Sequence, residues 1–154
     1  IAYGRKRSKE IARLADIADL ACLPMDQGRE KLRVALNSKR PMDRYSALTA
    51  CATKGAAASS LASEARKSLN HKNLMVRLRA AEFLGRIGAE DPRPTLTGIL
   101  NATKSADEAL LAFQAVVLFN DFKPTYPFDM SQLQMEPFKG EVYRRVDYLK
   151  DELK

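Results

Sequence analysis

Along "VRLRAAEFLGRIG", residues Val76 to Gly88, apolar side chains recur at Val76, Ala80, Phe83, Leu84 and Ile87. Steps of three and four place them one above another on a single helical face. Arg77, Arg79, Glu82 and Arg86 occupy much of the remaining surface. Ala80, Ala81 and Gly85 are small, which lets a neighbouring helix approach closely. Gly88 follows the last apolar position and predicts the helix end, because glycine enters a positive-φ conformation without steric cost.

The same pattern recurs. Moved back by 33 residues, Arg44, Tyr45, Ala47, Ala50, Cys51 and Gly55 fall on Arg77, Leu78, Ala80, Phe83, Leu84 and Gly88. Moved forward by 32, Leu110, Ala112, Val116, Phe119 and Asn120 fall on Leu78, Ala80, Leu84, Ile87 and Gly88, with asparagine replacing the terminal glycine. A second marker keeps the same beat: Leu36-Asn37, Leu69-Asn70 and Leu100-Asn101 each close a further amphipathic stretch. The unit is therefore helix, turn, helix, turn over roughly 31 to 33 residues.

The spacing predicts helices over Lys9 to Cys22, Asp26 to Leu36, Pro41 to Thr53, Ala57 to Leu69, Leu74 to Ile87, Pro92 to Leu100 and Ala106 to Phe119. Pro41 and Pro92 suit a first helical turn, Asp91 a cap before Pro92, and Ser105 or Asp107 a cap for the last of these helices. A helix pair this short cannot cover its own apolar stripe, so units must stack. The expected fold is all-α: a right-handed α-solenoid of antiparallel helix pairs, with units near 9–37, 41–70, 74–101 and 106–122. The competing arrangement is a compact helical bundle with accidental self-similarity.

"VRLRAAEFLGRIGAEDPRPTLTGIL" resembles the short HEAT-like repeat, with its Val-Arg, Ala-Ala, Leu-Gly and Ile-Gly pairs before a second helix. The match is close over Leu74 to Leu100, fair over Pro41 to Asn70 and weak over Lys9 to Asn37. Asp43 stands where Val76 stands, and Ala109 replaces the arginine of the last unit. This resemblance implies a superhelical scaffold or binding surface rather than a reaction. The opening "RLADIADLA", the repeats and the closing "RRVDYLKDEL" are also similar to the C-terminal helical extension of some bacterial sulfatases. That similarity implies an accessory domain of a larger sulfuric ester hydrolase, periplasmic or secreted, and a cytoplasmic address otherwise. A chain beginning at Ile1 without Met reads as a fragment or processed product.

Composition narrows the chemistry. Residues 1–104 hold 20 basic and 10 acidic side chains, and residues 105–154 hold 6 and 9. A basic body can attract nucleic acid or sulfated polyanions. Arg44 and Arg77 are equivalent in the repeat, and Arg33, Arg66, Lys67 and Arg79 extend a candidate basic stripe. The alternative use of these residues is an arginine ladder bonding to the turns of adjacent repeats. Base-stacking aromatics are scarce there: tryptophan is absent, and Tyr45 is the only aromatic between Ile11 and Arg79.

Cys22-Leu23-Pro24 begins like the sulfatase nucleophile motif Cys-x-Pro-x-Arg, but Asp26 takes the arginine position and Arg29 comes three residues late. Both Cys22 and Cys51 are expected as small buried residues. His71 is the only histidine, which excludes sites of several histidines. The glycines are scattered and form no phosphate loop, and Ser59-Ser60 lack a base in reach. Asp16, Asp19, Asp151 and Glu152 read as surface charge. No catalytic, cofactor or metal-binding residue is expected, and no run approaches the ~20 apolar residues that cross a bilayer.

After Phe122 the rhythm breaks. Pro124, Pro127 and Pro137 forbid a long helix, yet Tyr126, Phe128, Leu133, Met135 and Phe138 are too apolar for a flexible linker. Residues 123–154 are expected as a strap over the last helices and a final helix, Glu141 to Leu153, carrying Val142, Val146, Leu149 and Leu153 on one face. Tyr126, Phe128, Met135 and Phe138 form a candidate docking surface for a protein partner or another domain of the same chain. The expected function is a non-catalytic interaction module, with nucleic-acid binding and sulfated-polyanion binding as the alternatives.

Overall fold

The computed structural model describes residues 2–119 and 126–133 together with Arg144, Asp147, Tyr148 and Asp151; side chains are described from Ser8 onward, Met130 excepted. Every regular element among the described residues is helical. In chain order these are α1 (Ala2–Asp19), α2 (Met25–Leu36), α3 (Pro41–Lys54), a 3₁₀ helix (Gly55–Leu61), α4 (Ala62–Arg66), α5 (Leu74–Arg86), α6 (Arg93–Ala102), α7 (Ala106–Val117) and a short 3₁₀ turn (Met130–Gln132).

The helices stack in register. The odd-numbered helices form one layer, α1 on α3, α3 on α5 and α5 on α7, while the second helix of each unit packs alongside. The architecture is an α-solenoid of helix pairs and not a compact bundle. Ala47, Ala80 and Ala112 each stand six residues after the first residue of α3, α5 and α7, and all three are fully buried. The next positions of the pattern are buried as well: Ala50, Phe83 and Ala115, then Cys51, Leu84 and Val116. A methyl side chain in this column lets successive helix backbones approach, and larger neighbours fill the flanks.

Two apolar clusters make up the core. One spans α1 to α5 and contains Leu32, Leu36, Leu48, Leu61, Phe83 and Leu84. The other joins Leu78 to Leu96, Ile99, Leu100, Phe113, Val116 and Phe119. Helix α5 contributes to both, which explains why it is buried nearly all round from Val76 to Gly85.

Local chemistry sets the ends. Asn73 caps α5 by accepting from the Met75 and Val76 N–H groups, and Ser105 caps α7 by accepting from the Glu108 N–H. Pro41 occupies the first turn of α3. Asp91 accepts the Arg93 N–H at 2.9 Å, and α6 begins at Arg93, one residue later than the sequence suggests. Gly88, at φ 69°, closes α5 with two bonds, Ala89 N–H to Leu84 O at 2.9 Å and Gly88 N–H to Gly85 O at 3.1 Å. Gly55, one repeat earlier, also has a positive φ.

Three elements differ from the sequence pattern. α1 begins at Ala2 rather than Lys9 and ends at Asp19, where Leu20, Ala21 and Cys22 close in i→i−3 turns before Pro24. The helix expected over Ala57 to Leu69 is a 3₁₀ stretch followed by five α-helical residues. That segment, "GAAASSL", has few side chains that demand a 3.6-residue period. Its tighter winding brings Ala58 and Leu61 inward together, with Ala65 following from α4. α7 passes at Leu118 and Phe119 into a wider π turn.

Residues 126–133 lie across the α6 side of the stack. The Tyr126 ring meets Phe119 edge to face at 5.8 Å, Arg93 Nη1 donates to Pro127 O at 3.4 Å, and Asn101 Nδ2 donates to Gln132 O at 3.3 Å. Asn120, Met135, Phe138, most of the expected strap and most of the final helix lie outside the described residues. Of that final helix, Arg144, Asp147, Tyr148 and Asp151 are described as helical and exposed.

Gly85 marks the tightest approach. A Cβ there would stand 2.6 Å from Phe119 Cζ and 3.0 Å from Pro92 Cγ, and Phe119 is itself buried. Helix propensity alone favours Gly→Ala by ~1 kcal/mol. Overpacking reverses the sign here, so Gly85→Ala destabilises by about 1–3 kcal/mol, measured by urea denaturation.

Candidate functional site

The six basic residues of the predicted stripe lie on α2, α3, α4 and α5 and on the residue after α4. Arg33, in the last turn of α2, donates from Nε to Glu64 Oε1 of α4 at 3.0 Å and pairs with Glu30 at 2.8 Å. Arg66 donates to Glu90 at 2.9 Å and to the Ala89 carbonyl at 3.0 Å, tying α4 to the turn that ends α5. Lys67 reaches back to Asn37 Oδ1 at 3.4 Å. Arg79 pairs with Glu82 on its own helix, donates to the Tyr45 hydroxyl of α3 at 3.1 Å, and lies over that ring at 5.3 Å. Arg44 donates to Ser38 O at 2.6 Å in the turn before its helix. Arg77 lies against α6, with Nη2 3.6 Å from where a Cβ on Gly98 would stand.

Five of the six therefore tie segments together. Arg33, Arg66, Lys67 and Arg79 bridge neighbouring units, and Arg44 fastens a turn. The carboxylates on the other ends were not singled out from the sequence. Glu82 is buried between Arg79 and Arg86, the latter at 2.9 Å, although its place in an amphipathic pattern reads as surface. Its one legible signal is an arginine three residues before it and another four after, the helical pairing distances. Asp43 is likewise buried where its repeat equivalent is Val76. It accepts from the Ser38 hydroxyl at 2.8 Å and pairs with Arg13 of α1. The substitution of Asp for Val at that register was the visible sign of a partner on α1.

The sequence pattern described as HEAT repeats matches residues 29–116, more than half of the chain. The chain belongs to the HEAT-repeat family. No curated protein and no solved structure matches it. The matched span runs from α2 to α7 and so covers the column of Ala47, Ala80 and Ala112.

A second basic series emerges from the HEAT-repeat register. Lys39, Lys72 and Lys104 each stand two residues before α3, α5 and α7, at steps of 33 and 32. All three are exposed, and Arg40 beside the first is exposed too. The amphipathic faces do not announce them, because they belong to the turns.

The aromatic candidates divide. Phe128 is 7% exposed and belongs to the second apolar cluster, while Tyr126 is half-buried against Phe119, with the Arg93 guanidinium 5.9 Å from its ring centre. Both contribute to covering α6 and α7. Among the described residues no group of His, Cys, Asp and Glu is placed to hold a metal ion, and no helix is long and apolar enough to cross a membrane. His71 lies in the turn before α5, where its Nδ1 accepts the Asn73 N–H at 3.0 Å.

The cysteines differ from each other, which corrects the expectation that both are buried. Cys22 is exposed because α1 has already ended at Asp19, and Cys51 is buried. Burial pushes the Cys51 thiol up to about 12, with the nearby Lys54 charge opposing only in part. A thiol-reactive dye at about pH 8 labels Cys22 in the native protein and reaches Cys51 only on unfolding.

The Ser63 hydroxyl, donating at 2.7 Å, chiefly holds the Glu64 carboxyl below its ordinary value of 4.5, with its own backbone N–H and Arg33 adding to the effect. A depressed carboxyl stabilises the fold above its unfolded pKa, and that contribution is lost as pH falls through the lower folded pKa. Arg33→Ala removes part of the depression. Denaturation at about pH 6 and about pH 3 should show a smaller acid-induced loss of stability in the variant than in the parent.

Proposed function

We propose that this HEAT-repeat chain is a non-catalytic interaction scaffold acting as an accessory domain of a larger sulfatase-type hydrolase. The observation that carries the scaffold reading is the inter-unit bonding of Arg33, Arg66, Lys67 and Arg79. Charged groups that could have formed a reactive cluster instead hold neighbouring helices in register. The hydrolase setting rests on the similarity of "RLADIADLA" and "RRVDYLKDEL" to sulfatase C-terminal extensions. Size-exclusion chromatography with a separately expressed sulfatase catalytic domain tests it. Co-elution is the expected result, and independent elution at micromolar concentrations overturns the accessory-domain reading.

A second reading, binding of a linear polyanion such as nucleic acid or a sulfated glycan, draws support from Lys39, Arg40, Lys72 and Lys104. They are exposed, recur with the repeat and sit on the turns between units. Phosphate and sulfate polymers bind such rows through counterion release, with steep salt dependence. Retention on heparin and on duplex DNA columns checks this reading. Replacing Lys39, Lys72 and Lys104 together with alanine lowers the eluting salt concentration on the column that the polyanion resembles, and leaves stability within about 0.5 kcal/mol.

A further inference from the structure

Helices α1 and α2 diverge around an open groove of about 900 Å³. Its apolar wall is Ile17 from α1, Leu20 and Leu23 from the turn, and Val34 and Ala35 from α2. Leu20 and Ala35 are buried at its base, but Val34 is 73% exposed, one of the few large apolar side chains left in water.

The fold supplies the shape of an occupant. Each helix pair in the stack seats another helix against both of its members. α3 packs on α1 and α2, α5 on α3 and α4, and α7 on α5 and α6, and the groove is the part of the α1–α2 pair that α3 leaves open, with Val34 exposed in it. A cleft between two antiparallel helices walled by aliphatic side chains at helical spacing accepts the apolar stripe of a helix.

Charge supplies the occupant's chemistry. The groove is bordered by four carboxylates, Asp16, Asp19, Glu30 and Asp43, and two cations, Arg13 and Lys31. Arg13 is already paired with Asp43 and near Glu10. Asp16, Asp19 and Glu30 are exposed, and Glu30 also meets Arg33 at 2.8 Å. This acidic border belongs to a body, residues 1–104, with 20 basic and 10 acidic side chains. The local sign is thus opposite to that of the surrounding surface, which selects a partner the rest of the body would repel.

We infer that the α1–α2 groove binds an amphipathic helix of a protein partner whose apolar stripe is flanked by lysine or arginine. This rests on the scaffold reading and names the partner surface it would use. The stripe covers Val34 and Leu23, and the flanking cations face Asp16, Asp19 and Glu30.

The test uses the full chain and two synthetic helices with one common apolar stripe, one flanked by lysine and the other by glutamate, followed by fluorescence anisotropy. The lysine-flanked helix should bind at least about tenfold more tightly. Asp16→Lys with Asp19→Lys should remove that preference, and Val34→Asp should abolish binding. All three positions are exposed or edge the groove, and circular dichroism confirms that the variants fold. Equal affinity for the two helices, preference for the glutamate-flanked one, or binding that survives Val34→Asp overturns the inference. So does a chain that self-associates in sedimentation and becomes monomeric on Val34→Asp, because the occupant is then a second copy. If neither helix binds while the chain still co-elutes with the sulfatase catalytic domain, the groove assignment fails and the scaffold reading stands. If both fail, the accessory-domain reading falls with it.

Discussion

Shared burial between consecutive helix pairs is the constraint on which the molecule depends. A pair such as α5 and α6 carries apolar side chains on faces that point in two directions, and only neighbours on both sides can cover them. α5 contributes to both apolar clusters for this reason, with Phe83 and Leu84 in one and Leu78 in the other. The alanine column at Ala47, Ala80 and Ala112 sets the spacing, and Gly85 extends the same logic to the point where Phe119 and Pro92 meet α5. Area buried in this way stabilises by about 25 cal/mol per Å², but it is indifferent to register.

Register comes from polar groups. A slide of one unit past another would preserve much of the aliphatic contact. It would also separate Arg33 from Glu64, Arg66 from the Ala89 carbonyl, and Arg13 from Asp43. The exposed pairs among them contribute about 0–1 kcal/mol each, too little to hold the stack together. Their consequence is selective: a misplaced stack leaves the buried Asp43 carboxylate without Arg13, and that costs several kcal/mol. The arginines thus discriminate between arrangements that the apolar core would tolerate.

This division explains what could be read from the chain. The helices α2, α3, α5, α6 and α7 were legible because each carries an unbroken period of apolar positions, and Gly88 and Ser105 announce ends by local chemistry alone. The 3₁₀ stretch Gly55–Leu61 was not legible, since alanine and serine support either winding and only the packing of Ala58 and Leu61 decides. The basic stripe was visible as a set of residues, and a ladder bonding to adjacent turns was one of its two readings; the partner of each residue was not. Whether Arg66 faces solvent or Glu90 depends on a contact 24 residues away. Exposure of Lys39, Lys72 and Lys104 follows from their place in turns, so their recurrence was available to any reading that aligned the connections as well as the helices.

The same logic separates the surfaces that face outward. Inside the stack a cation next to a carboxylate fixes geometry and leaves little field for a visitor. On the turn edge the lysines are exposed and recur with the repeat, so their charges add along the stack. At the α1–α2 groove the excess sign reverses, and apolar surface stands beside it. A repeat protein built from one motif thereby carries both basic and acidic surface. The difference comes from small departures from the repeat. Asp43 in place of a valine draws Arg13 inward, and that pairing leaves Asp16, Asp19, Glu30 and Lys31 as the remaining charges that border the groove. Variation at single register positions, imposed on an invariant packing scheme, is what can give such a scaffold its specificity.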